Sequence, residues 1–167
     1  MNANWTIGFD GDDTLWHNES IFSMTQERFR AILGGIDADE IDRRLLETER
    51  RNLGLFGYGI KGFVLSMIET AIEVTDGRVE ARDIQTLIEA GKSMLAHPVD
   101  LLDGVAETVE YLSHSHRLVL VTKGDLFDQE SKIARSGLAE LFDRIEIVSE
   151  KDPETYRRIL ARHGIAP

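Results

Sequence analysis

Hydrophobic and polar positions along this chain follow two rhythms, one helical and one alternating between helix and strand. Trp5-Thr6-Ile7-Gly8-Phe9 is an apolar run rich in β-formers that stops at the acidic group Asp10 to Asp13, which predicts a buried strand. From about Glu19 to His97 the spacing turns helical. Phe22, Phe29, Ile32 and Leu33 share one face of a helix that Gly34-Gly35 stops. Asp37 and Glu40 form a capping-box pattern ahead of Ile41, Leu45 and Leu46. The glycine-dense stretch from Gly54 to Gly62 reads as a mobile loop. Phe63, Met67, Ile68, Ala71 and Ile72 predict a largely buried helix closed by Asp76-Gly77. Ile84, Leu87, Ile88 and Leu95 predict one more helix, ended by Pro98.

Beyond Pro98 the rhythm changes. Gly104 to Ser113 reads as a helix, and Leu118 to Thr122 as a strand with no polar alternation, the mark of a strand buried on both faces. A helix from Asp125 to Ser136 with Gly137 as its C-cap, a strand from Arg144 to Val148, and a helix capped by Asp152-Pro153 and ending near Gly164 complete the order. Strand, helical block, then helix–strand–helix–strand–helix describes an α/β sheet with an all-helical insertion after its first strand. No internal repeat or low-complexity segment interrupts it.

Composition narrows the function. The 167 residues carry 19 Lys plus Arg against 30 Asp plus Glu, a net charge of −11 that repels phosphate backbones and anionic lipid. Nucleic-acid and membrane partners are therefore not expected. No cysteine is present, which excludes disulfides, thiol catalysis and Cys-ligated zinc and agrees with a cytoplasmic setting. The most apolar stretch, Phe63 to Ile68, is too short to cross a bilayer, and no signal peptide is expected.

Chemistry concentrates at Asp10, Asp12 and Asp13, within four positions of each other where a predicted strand ends, the place where open α/β sheets bind ligands. Two carboxylates about 4 Å apart at an effective dielectric near 20 repel by roughly 4 kcal/mol, so the cluster calls for a cation or a proton. Oxygen donors without cysteine point to Mg²⁺. An acidic turn that merely caps the next helix is the alternative.

The phrase Phe9-Asp10-Gly11-Asp12-Asp13-Thr14-Leu15 resembles the first signature of the haloacid dehalogenase-like (HAD) superfamily, hydrophobic-Asp-x-Asp-Gly-Thr-Leu. Leu118 to Thr122 is similar to the second, a hydrophobic strand ending in Thr or Ser, and Lys151-Asp152-Pro153 to the third, a Lys beyond the next strand. Lys132 competes for that last role but falls mid-helix, where a solvated lysine is expected. The resemblance implies a three-layer Rossmann-like core from residues 1–17 and 98–167, with residues 18–97 as a helical cap that excludes water and selects substrate. The Gly54–Gly62 loop is a candidate cap segment facing the site.

It further implies a Mg²⁺-dependent phosphatase acting on a small phosphorylated substrate. Asp10 would be the nucleophile and Asp12 the acid and base. Thr122, Lys123 and Lys151 would hold the phosphoryl group. The metal would sit on Asp10 and on Asp12 through its backbone carbonyl. A metal-free 2-haloacid dehalogenase using the same nucleophile, or a non-catalytic binding or regulatory domain, are the other readings. Asp13 stands where the family usually has Gly, and Asp tolerates unusual backbone angles. His17 could contact substrate or the cap hinge, whereas His97, His114, His116 and His163 read as surface residues. The family's fourth signature, acidic residues beyond a further strand, has no counterpart before Pro167. The expectation is thus a piece of a longer protein, missing the C-terminal strands of its core and leaving the first strand at a sheet edge.

Overall fold

A computed structural model describes residues 5–165. The chain forms two compact units, residues 5–18 with 98–165, and Glu19–His97. Among the described residues no helix is long and apolar enough to cross a membrane.

The first unit is built on three parallel strands, β1 (Thr6–Phe9), β2 (Arg117–Lys123) and β3 (Arg144–Val148), in the spatial order β1-β2-β3. Ile7 is in register with Leu118, and Thr122 with Ile147, so all three carboxyl ends emerge on the same side. Strand β2 is central and buried along its middle five residues, which accounts for its unbroken apolar run. Period-two alternation then sorts its side chains. Leu118 and Leu120 face a cluster with Trp16, Val109 and Ile133, whereas Val119 and Val121 face Ile159. The first face is covered by the helices Val105–Ser113 and Leu126–Ser136 and the second by Pro153–His163, giving helix, sheet and helix in three layers.

In chain order the helices are α1 (Glu19–Ile32), α2 (Ala38–Phe56), α3 (Ile60–Val74), α4 (Ala81–Ala96), α5 (Val105–Ser113), α6 (Leu126–Ser136) and α7 (Pro153–His163). Asp125 and Asp152 cap α6 and α7 by accepting from Asp128 N and Thr155 N at 3.1 and 2.7 Å. Both helices end in left-handed glycines, Gly137 and Gly164. A short 3₁₀ turn at Ala139–Leu141 was not signalled by the sequence pattern.

The second unit, α1 to α4, has its own core of Phe29, Leu33, Ile41, Leu45, Phe63, Met67 and Leu87. Arg30 binds Asp42 through two bonds of 2.8 Å, tying α1 to α2 and holding the Asp42 carboxyl below the ordinary carboxylate range. Arg51 bridges α2 to Glu69 and Glu73 on α3 at 2.8 and 2.7 Å.

Three expectations are corrected here. The Gly54–Gly62 loop is mostly helix: α2 runs through Gly54 to Phe56, α3 begins at Ile60, and only residues 57–59 connect them. Gly62 lies inside α3 because a Cβ there would stand 2.9 Å from the Gly57 carbonyl oxygen, a close approach rather than a loop. Asp37 does cap α2, accepting from Glu40 N at 3.1 Å, but the Glu40 carboxylate turns to Arg43 and not back to the cap. The apolar stripes also rotate. Ile72 and Ile88 are exposed, and the buried face of α4 is Leu87, Ala90, Gly91 and Met94.

Candidate active site

The candidate site assembles where β1 and β2 end, with contributions from α6 and from the segment after β3. Gly11, between the two carboxylates, sits so tightly that a Cβ would meet Trp16 Cζ2 at 2.9 Å and Thr122 Oγ1 at 3.0 Å. Only glycine lets the turn pass between Trp16 and Thr122. Asp13 has φ 57°, the left-handed region, which is why a residue with a short polar side chain can stand where glycine is usual. Its Oδ1 accepts from Asn18 N at 2.9 Å and its own N–H donates to the Trp16 carbonyl at 2.8 Å, closing the loop.

Asp10 ends β1 with a half-exposed carboxylate, 46% accessible, which accepts from Gly11 N at 2.7 Å and pairs with the Lys151 ammonium. Lys151 is set one residue ahead of the Asp152 cap of α7. The Asp152 carboxyl is held below its ordinary range by the N–H and hydroxyl of Thr155, so the cap stays ionised and the helix start stays fixed.

Asp12 is surrounded by donors. Its Oδ1 accepts from the Trp16 indole at 2.7 Å and Lys132 Nζ at 3.1 Å, and its Oδ2 from Gln129 Nε2 at 2.8 Å. Thr122, fully buried, donates its hydroxyl to Gln129 Oε1 at 3.2 Å, so one glutamine links Thr122 to Asp12. Strand alternation explains this grouping. Thr122 shares the face of Leu120, toward α6, whereas Lys123 lies on the opposite face, where its ammonium stands 3.7 Å from Glu150 Oε2. The structure thus brings Asp10 and Lys151 together, and joins Asp12 to Thr122 through Gln129. Lys123 is engaged on the other face of the sheet.

Lys132 corrects the sequence reading. It is 9% exposed, not solvated, and lies on the buried stripe of α6 with Asp128, Gln129 and Ile133. Gln129 and Trp16 were likewise missed. For Gln129 and Lys132 a signal was available: in α6 the positions that should be apolar at helical spacing carry polar residues, while Leu126 and Phe127 are exposed. His17 contributes its backbone N–H to the Asp100 carbonyl at 2.9 Å. His163 is not a free surface residue, since its ring nitrogen lies 2.6 Å from Glu146 Oε1 with 11% of the side chain exposed.

The site offers a hard oxygen donor in the half-exposed Asp10 carboxylate. Both Asp12 carboxylate oxygens are taken by protein donors. Among the described residues no three His, Cys, Asp or Glu side chains converge as a complete metal cage. Magnesium does not need one, because it usually keeps several waters and shares one or two carboxylates with substrate phosphates. The donor set therefore fits a hard divalent cation held jointly with an anionic substrate.

Comparison with known proteins agrees with this architecture. Haloacid dehalogenase-like hydrolases match residues 6–167, and the chain belongs to that family. A haloacid dehalogenase-like family hydrolase from Xanthomonas campestris is 53% identical, with a TM-score of 0.92 over 98% of this chain and 69% of that one. The HAD-hydrolase YfnB from Bacillus subtilis, bound to magnesium, shares the fold at 16% identity and a TM-score of 0.61, over 95% of this chain and 72% of that one. A 2-haloacid dehalogenase from Pseudomonas syringae pv. Tomato DC3000 shares it at 20% identity and a TM-score of 0.62, over 97% of this chain and 74% of that one. No curated protein matches the sequence.

Proposed function

We propose that this hydrolase cleaves a small phosphoric monoester through an aspartyl-phosphate on Asp10, with Mg²⁺ as cofactor. The observation that carries the reading is the second carboxylate. Asp12 is ordered by Trp16, Gln129 and Lys132 just beyond the half-exposed Asp10, an arrangement useful to a reaction that must move a proton. Displacement of halide asks for no such group, because halide leaves without a proton.

An Asp10 carboxylate oxygen attacks phosphorus as the ester oxygen departs, and Asp12 gives that oxygen its proton. Water then attacks the acyl phosphate and surrenders a proton to Asp12, which restores both groups and releases inorganic phosphate. Lys151 holds a phosphoryl oxygen, and Thr122 holds another once its hydroxyl turns from Gln129 Oε1, whereas Lys123, on the other face of the sheet, is given no contact with this group. A bound Mg²⁺, held by Asp10 and the Asp12 carbonyl, supplies charge neutralisation at the phosphoryl oxygens. The helical unit Glu19–His97 acts as the cap that selects the substrate.

The test is a panel of phosphorylated metabolites and 2-haloacids, each assayed with Mg²⁺ and after exhaustive chelation. Mg²⁺-dependent phosphate release, abolished in Asp10→Asn, is the expected result. In Asp12→Asn, hydrolysis of alkyl phosphates should fall about 100-fold or more while phosphoryl transfer from activated aryl esters largely survives. Halide release that persists without metal would replace this reading with dehalogenation.

A further inference from the structure

Helix α6 is inverted relative to an ordinary amphipathic helix. It exposes Leu126 and Phe127 and buries Asp128, Gln129 and Lys132. An unpaired ammonium in such a place would be strongly disfavoured. Lys132 instead has an oxygen for each of its three N–H donors: Asp12 Oδ1 at 3.1 Å, Asn18 Oδ1 at 2.9 Å and Asp128 Oδ2 at 3.3 Å. Asp128 is 3% exposed, so Lys132 also compensates a second buried charge. Each site carboxylate therefore has its own lysine, Lys151 for Asp10 and Lys132 for Asp12.

The two lysines differ in surroundings. Lys151 precedes the cap of α7 beside the half-exposed Asp10, within reach of an incoming anion. Lys132 sits one layer below, behind Asp12, with all its donors committed to protein oxygens. From there it cannot contact substrate, but it can decide where the Asp12 carboxylate stands. An aspartate with only Trp16 and Gln129 as partners has two hydrogen bonds from neutral donors to hold its rotamer. The third contact adds an opposite charge to a hydrogen bond, which neither of the others does.

We propose that Lys132 is a positioning residue that, braced by Asp128 and Asn18, fixes the Asp12 carboxylate so that it meets the departing ester oxygen. This rests on the phosphatase reading for the role of Asp12, though not for the position of its side chain. Misplacing a proton donor harms the transition state more than the bound ground state, so the loss belongs in kcat and not in KM.

The test pairs kinetics with a signal that needs no turnover. Lys132→Met alone would strand the Asp128 charge and could unfold the domain, so Lys132→Met is combined with Asp128→Asn. With an alkyl phosphate, kcat of the double variant should fall about 10- to 100-fold while KM changes less than about 3-fold. With an activated aryl phosphate the loss should shrink to within about 3-fold. Lys132→Arg, which keeps a cation at the site, should recover much of the alkyl-phosphate rate. In parallel, the indole N–H proton of Trp16, bonded to Asp12 Oδ1, is followed by NMR, with exposed Trp5 as internal reference. It should shift upfield in the double variant. Equal losses on alkyl and aryl esters, or a rise in KM with kcat preserved, would overturn the proposal. So would an unmoved Trp16 indole resonance, whatever the activity. If wild-type protein hydrolyses no phosphoric ester yet the indole signal moves, the positioning of Asp12 is upheld and the phosphatase reading fails.

Discussion

Asp13 shows how a departure from a family signature is absorbed at a single residue. Its φ of 57° is costly for a residue with a Cβ, by roughly 1–2 kcal/mol, but its carboxylate recovers part of that through the Asn18 N–H. Asp13→Gly should therefore be close to neutral, relief of backbone strain offsetting the lost hydrogen bond. Asp13→Ala keeps the strain and loses the bond, and should destabilise by about 1–2 kcal/mol in urea unfolding. A second residue-scale lesson concerns what sequence could reveal. Asp10, Asp12, Thr122 and Lys151 were named from the sequence because they stand in phrases that resemble the family's signatures, at predicted strand ends and just ahead of a helix cap. Gln129 and Lys132 reach Asp12 from a distant segment, and the sequence shows this only as polar residues on a helical stripe expected to be apolar; Trp16, four residues beyond Asp12, carries no such mark.

At the scale of elements, caps and apolar runs gave the boundaries of β3, α6 and α7 closely, since Asp125, Gly137, Asp152-Pro153 and Gly164 are chemical stops. Glycine spacing misled between α2 and α3, because glycine serves close packing as readily as flexibility. The two cases separate by mutation. Gly54 lies on an exposed part of α2, where an added methyl would meet nothing within 4 Å, so Gly54→Ala should stabilise by about 0.5–1 kcal/mol. Gly62→Ala would press on the Gly57 carbonyl and should cost about 1–3 kcal/mol. Both are read from urea midpoints at constant m-value.

The junction of β3 and α7 carries a pH signature. Burial pushes the Glu146 carboxyl up, but hydrogen bonds with His163 and Arg162 outweigh it and hold the group below its ordinary range. A depressed carboxyl contributes stability above its unfolded value, about 4.3, and loses it as pH falls through the lower folded value. The stability difference between wild type and Glu146→Gln should therefore be present above about pH 4.3 and shrink as pH falls below about 4. A difference that grows as pH falls below about 4 would contradict the assignment.

Across the whole molecule, a three-stranded parallel sheet, with a helical block in sequence after its first strand, presents its carboxyl ends as a platform for chemistry. Fold class was legible because β2 is apolar throughout and β1 stops at a cluster of acids. Substrate choice was not, because no residue pattern encodes the shape of a binding surface. The central claim is that Asp10 becomes phosphorylated. It is tested most directly by acid-quenching the enzyme during turnover of an ester radiolabelled at phosphorus with Mg²⁺, then digesting at acid pH and mapping the labelled peptide. The account predicts a hydroxylamine-sensitive label on the peptide containing Asp10, absent in Asp10→Asn. Turnover with no covalent label, or a label on another residue, would contradict it.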